Sequence, residues 1–207
     1  DGNDLLSTSA VAVYVNGEAP GGGDGSKFSP LKSLTSGISL AKNTGKYVVV
    51  AAGEYTENMI PLETSVFGGY SGDDWFLKEG LTTRITGGNG FAVVVPPGAD
   101  VRLANLVFGG PDDLLSYALT VGGVARMDGC VVEVASSPTT PVASGILVAG
   151  TLTLVDSVIE PGSGGSGNGI EVTPTGEARV RESWIAAPVS QSGGASAIRN
   201  EGTLLVE

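Results

Sequence analysis

The chain has 207 residues, 33 of them glycine and 11 proline, yet 41% are hydrophobic and the mean hydropathy is positive, which excludes a disordered tract. It carries 11 bases against 22 acids, a formal net charge of −11, which disfavours nucleic acid and anionic membrane as partners. Histidine, the commonest general base and zinc ligand, is absent, and a single cysteine excludes an internal disulfide or a cysteine-rich metal site.

The opening Asp1-Gly2-Asn3-Asp4 is polar and has no apolar leader core. The longest apolar stretches, Tyr47 to Ala52 and Phe91 to Pro97, fall well short of the ~20 residues of a spanning helix, so no transmembrane segment is expected. Between Ser29 and Lys42, apolar residues at Leu31, Leu34, Ile38 and Ala41 follow helical spacing. This predicts a helix with Ser29 as N-cap, Pro30 at the first helical position and Gly45 as the stop. Residues 1–46 are then an N-terminal segment whose helix caps one continuous body formed by residues 47–207. Tyr47-Val-Val-Val50 and Ser65-Val-Phe67 read as the first strands of that body.

From Ala99 onward the sequence repeats. Gly123, Gly150, Gly176 and Gly202 each open a similar run, at spacings of 27, 26 and 26, and Ala99 opens an earlier copy 24 residues before Gly123. A second short run precedes each of them: Val93–Val95, Leu119–Val121, Ile146–Val148, Ile170–Val172 and Ile198–Asn200. Both runs alternate at the strand period, and Gly, Ser and Pro clusters fill the gaps. Strands this short cannot each bury a face alone. Stacked as coils of a solenoid they can, and their inward residues then form columns. One column is Val101, Ala125, Leu152, Ala178, Leu204; the next is Leu103, Met127, Leu154, Val180, Val206; a third is Phe108, Val132, Ile159, Ile185. The prediction is an all-β, right-handed parallel β-helix of five to six coils with an N-terminal capping helix. An antiparallel sandwich would show frequent turn signals without a fixed period. The last repeat reaches Glu207 before an equivalent of Ser157-Val-Ile159. This predicts an open coil that continues in a longer solenoid or stacks on another protein chain.

Several stretches together resemble the opening of bacterial right-handed parallel β-helix proteins of the pectin-lyase-like class. They are Tyr14-Val-Asn-Gly17, Gly23-Asp-Gly-Ser26, Phe28-Ser-Pro-Leu31, Tyr47-Val-Val-Val-Ala-Ala-Gly53-Glu-Tyr55-Thr-Glu-Asn58 and Phe67-Gly-Gly-Tyr70-Ser. Many such proteins are secreted or surface-attached, often lipoproteins, of unassigned function. The resemblance implies an extracellular or cell-surface location, with a lipid anchor carried by a precursor. The class also contains polysaccharide lyases and hydrolases that use Ca²⁺ with an Arg or Lys base, or clustered aspartates.

No catalytic residue of that class maps onto this chain. Asp73-Asp74 and Asp112-Asp113 are the paired acids, and both sit beside Gly or Pro in turn-forming sequence. A Ca²⁺ role for them is the weaker reading, and the sequence predicts neither a metal centre nor another cofactor. The loop Gly21-Gly-Gly-Asp24-Gly-Ser26 reads as a turn before the helix. Gly162–Gly167 matches a dinucleotide fingerprint only in spelling, because a strand and Pro174 come next in place of a helix. Cys130 falls in register with Ser157 and Ser183, as a packed turn residue without a base to activate it.

One constellation stands out. The outward column beside the first core column is Arg102, Arg126, Thr153, Arg179, Leu205, and the next is Ala104, Asp128, Val155, Arg181, Glu207. Arg102, Arg126, Arg179 and Arg181 thus form a candidate face for an anionic polysaccharide, through carboxylate or sulfate pairing. The competing expectation is that Asp128, Asp156 and Glu182 pair with them on a solvated face. The functional expectation is a non-enzymatic extracellular or cell-surface scaffold of adhesion type. A carbohydrate-active or glycan-binding β-helix is the alternative.

Overall fold

A computed structural model describes residues 11–58, 60–88, 93–109, 117–133, 144–160, 167–187 and 194–207. Three parallel sheets wrap around one core. Sheet A holds Ala12–Val15, Tyr47–Ala51, Val66–Tyr70, Asp100–Ala104, Val124–Asp128, Thr151–Val155, Glu177–Arg181 and Thr203–Val206. Sheet B holds Gly53–Glu57, Thr83–Gly87, Leu106–Gly109, Val131–Glu133, Val158–Glu160 and Trp184–Ile185. Sheet C holds Ile60–Pro61, Val93–Val95, Tyr117–Val121, Ser144–Val148, Asn168–Val172 and Ser196–Asn200. The chain visits A, then B, then C, and returns to A one strand further along, giving about five turns of a parallel β-solenoid.

The register is the one the repeat predicts. Val101, Ala125, Leu152, Ala178 and Leu204 stack in sheet A, as do Leu103, Met127, Leu154, Val180 and Val206. Phe108, Val132, Ile159 and Ile185 stack in sheet B, and Tyr55 and Ile85 extend that column toward the N-terminal end. Nearly all these side chains are buried, and each fully buried Leu, Ile or Phe contributes about 1.5–3 kcal/mol. Burial fades in the last coil, where Val206 is 63% exposed. The strand Thr203–Val206 pairs on one side only, with Glu177–Arg181.

Two corners are built from backbone. In the four coils from Asp100 onward, the corner from A to B turns on one left-handed residue each: Asn105, Gly129, Asp156 and Glu182, with φ of 54°, 59°, 47° and 48°. The amides of Asn105, Gly129 and Asp156 donate to Asp128, Val155 and Arg181 of the following coil, at 3.1, 3.1 and 3.3 Å. The corner from C to A explains the repeat-opening glycines. A Cβ on Gly123, Gly150, Gly176 or Gly202 would stand 2.4, 2.1, 2.2 or 2.3 Å from a carbonyl oxygen of the coil below. No side chain fits there, so only glycine lets successive coils close to the ~4.8 Å strand spacing.

The helix spans Leu34–Thr44, not Ser29 to Lys42, and its N-cap is Ser33, whose Oγ accepts from the Ser36 amide. Ser29 is committed elsewhere: its carbonyl accepts from the Asp24 and Gly25 amides. Leu31 is extended, exchanging backbone hydrogen bonds with Tyr14 and Asn16 beside the first strand. Gly45 ends the helix as expected, at φ 64°, its amide donating to Ala41 and Lys42. Leu34, Gly37, Ile38 and Ala41 face the coil, and a Cβ on Gly37 would meet Val15 Cγ2 at 2.3 Å. The helix therefore lies directly on the first strand. Glu57 of sheet B anchors it, accepting from the Leu34 and Thr35 amides at 2.6 and 3.0 Å and from the Ser33 hydroxyl at 3.2 Å. A carboxylate there satisfies orphan amides and complements the helix dipole.

The first coils are less regular than the later ones. The register shifts between Val49 and Ala51, and buried Thr83 bridges the irregularity. Its hydroxyl accepts from the Gly69 amide at 2.9 Å and donates to Ala51 at 3.1 Å. Outside sheet A at this end sits a second apolar cluster. Trp75 packs edge-on against Tyr14, 4.8 Å between centroids, and donates its indole N–H to the Lys27 carbonyl at 3.1 Å.

Candidate functional site

The strand register places Arg102, Arg126 and Arg179 in one outward column of sheet A, and Arg181 in the next column beside Val155. All four side chains are more than half exposed. Asp128 sits between the first two, 2.9 Å from Arg102 Nη2 and 3.6 Å from Arg126 Nη2. The other two pair with acids that the sequence did not nominate: Arg179 with Glu177 at 2.9 Å, and Arg181 with Glu207 at 3.1 Å. Asp156 and Glu182 are not the partners expected, because both are the left-handed corner residues, where the strand has already turned out of sheet A. Solvated pairs of this kind contribute about 0–1 kcal/mol each. The face therefore offers guanidinium groups already paired with their own neighbours, four arginines to three carboxylates.

The other sequence candidates resolve into local structure. Asp74 closes a turn, accepting from the Phe76 amide and pairing with Lys78 at 2.8 Å. The hydrogen bond from Lys78, then that from the Phe76 amide, pulls its carboxyl down to about 2. Asp24 accepts from the Ser26 amide at 2.8 Å, making the expected turn of the glycine-rich loop, and hydrogen bonding from the Ser26 hydroxyl, then from its amide, lowers its pKa. Asp112 and Asp113 lie outside the described residues, as does most of Gly162–Gly167. Cys130 is buried, its amide donating to Ser157 Oγ and its thiol to the Leu103 carbonyl. Burial pushes the thiol up to about 11, and the Ser157 amide repeats the motif on Ser183 Oγ.

Two concave surfaces were not read from the sequence. One, of about 470 Å³, lies between the segment Leu77–Thr82 and the A-to-B corner at Asn105 and Gly129. The other, of about 540 Å³, opens on the outer face of sheet C and gathers polar side chains from three coils. At its floor the Glu171 carboxylate accepts from the Tyr117 hydroxyl at 2.8 Å and from Asn168 Nδ2 at 3.3 Å. Ser196 Oγ donates to Asn168 Oδ1 at 2.6 Å, fixing that amide. Arg199 lies 3.6 Å from the remaining Glu171 oxygen and 2.6 Å from Glu201. Burial, followed by the neighbouring Glu171, pushes the Tyr117 phenol up to about 12. The signal was present in part: Glu171 and Arg199 are successive outward residues of adjacent coils. Among the described residues, no group of three or more Cys, Asp or Glu is placed to hold a metal ion.

The class defined by this architecture is a parallel β-solenoid with a helix at its N-terminal end. No family model, curated protein or solved structure matches the chain.

Proposed function

We propose that the protein is a non-enzymatic, extracellular or cell-surface β-helix scaffold of adhesion type. The observation that carries this is the outer face of sheet A, where the four arginines are already paired with three carboxylates of the same face. An acid–base catalyst needs a group poised to exchange a proton with its substrate. The one thiol is buried and held protonated, and Asp74 is fixed in a turn. The uninterrupted inward columns instead fit a rigid rod that presents its outward residues at strand spacing. The bacterial, pectin-lyase-like origin suggested by the opening motifs belongs to the same proposal.

The alternative is binding of an anionic polysaccharide along Arg102, Arg126, Arg179 and Arg181, favoured by the exposure of those side chains. One experiment separates the two. The protein is incubated with polygalacturonate and alginate, with and without Ca²⁺, while unsaturated product and co-sedimentation with the polymer are followed. The scaffold role predicts neither product nor retention. Retention lost in Arg102→Ala/Arg126→Ala establishes the alternative, and Ca²⁺-dependent product lost in Arg126→Ala makes the protein a lyase.

A further inference from the structure

We propose that the cleft on the outer face of sheet C binds a primary ammonium group at the Glu171 carboxylate. This is independent of the scaffold role, and it concerns a different face from the arginines of sheet A. The cleft has the volume for a small ligand, about 540 Å³, and its polar groups converge on one carboxylate.

The two oxygens of Glu171 are not equivalent. Oε2 is saturated by Tyr117 and Asn168, and Asn168 is itself held by Ser196. These three contacts fix the carboxylate plane. Among the described residues, the contact given to Oε1 is Arg199, at 3.6 Å, which is beyond hydrogen-bond distance. Arg199 keeps a 2.6 Å pair with Glu201 and does not depend on Glu171 for its counter-ion. A ligand ammonium can therefore take Oε1 in a short charge-assisted hydrogen bond while Arg199 stays with Glu201. The three charged groups Glu171, Arg199 and Glu201 sum to one negative charge before a ligand arrives. The net charge of −11 steers cations toward the molecule. With its side chain only 20% exposed, Glu171 is shielded from the solvent screening that weakens the sheet A pairs.

Two sources share this chemistry, an amino sugar and the side chain of a protein lysine. Calorimetric titration of the intact chain with glucosamine and with Nα-acetyl-lysine amide distinguishes them, and the N-acetylated form of each amine serves as the neutral counterpart. At least one amine should bind saturably, tenfold or more tighter than its acetylated form, and the one that does identifies the source. Glu171→Gln should reduce that binding at least tenfold, whereas Glu133→Gln, an equal loss of charge on sheet B, should leave it unchanged. Arg199→Gln should tighten it, because the competitor for Oε1 is gone, and Arg102→Gln should not. The Arg199 variant keeps the test decisive if Glu171→Gln fails to fold. Absence of saturable binding by either amine overturns the proposal. So does an equal response to Glu171→Gln and Glu133→Gln, or to Arg199→Gln and Arg102→Gln, which would reduce the effect to overall charge.

Discussion

Replacing Gly150 by alanine tests the backbone contact that sets the spacing between coils. The added Cβ would stand 2.1 Å from the Gly123 carbonyl oxygen, where real Cβ contacts under 3.0 Å are essentially unknown. The obstructing atoms are backbone of the coil below, so no rotamer relieves the clash and the two coils must part locally by close to an ångström. Three cross-coil hydrogen bonds span that corner: Ala149 and Gly150 to Val121 at 2.8 and 2.9 Å, and Thr151 to Gly123 at 2.8 Å. Losing two or three of them at about 1 kcal/mol each, with some loosening of the buried column beside them, gives a destabilisation of about 3–4 kcal/mol. Gly21→Ala is the matched control, because a Cβ there meets nothing within 4 Å. Urea denaturation followed by circular dichroism measures both. A Gly150→Ala midpoint indistinguishable from that of Gly21→Ala would refute the steric account of the corner.

Glu57→Ala should destabilise by about 2 kcal/mol, from a lost helix cap and a lost charge at the dipole, and hydrogen exchange should rise first at the Leu34 and Thr35 amides. Asp74 has its pKa depressed from 3.8 to about 2 by Lys78 and the Phe76 amide. Its stabilising contribution is thus present above pH 3.8 and is lost as the pH falls toward 2; Lys78→Ala should move the carboxyl resonance midpoint upward in an NMR titration. Arg102→Ala removes an exposed pair and should change stability by less than about 1 kcal/mol, read from the same urea midpoint.

The columns of sheets A and B were legible because an inward position in a solenoid must be apolar in every coil, so the repeat states the register several times over. The Cys130, Ser157, Ser183 register was legible for the same reason. The helix start was not. Ser29 followed by Pro30 has the local form of an N-cap and first helical residue, but Leu31 is claimed by backbone hydrogen bonds to the first strand. The helix therefore waits for Ser33 and for Glu57, which arrives from sheet B. On the arginine face, Asp128 could be read because it lies two residues beyond Arg126 and one coil from Arg102. Asp156 and Glu182 misled because a corner residue in left-handed conformation leaves the sheet it borders in sequence. The sheet C cleft is hidden in the sequence because the apolar runs of its strands begin at Leu119 and Ile170. Tyr117 and Asn168, two residues upstream of each, complete the cluster.

The two tight corners have a consequence for where this molecule can change length. In the later coils the chain turns from A to B on one left-handed residue, and from C to A on a glycine wedged against the carbonyl below. Both corners nevertheless take up extra residues with the strands in register: residues 71–82 stand between Val66–Tyr70 and Thr83–Gly87, and residues 173–176 occupy the corner that 149–150 turn in the coil before. A peptide inserted at a corner should likewise lengthen one coil without disturbing its neighbours, so long as the strands on either side keep their register. The prism is thus fixed along its strands and open to change at its edges.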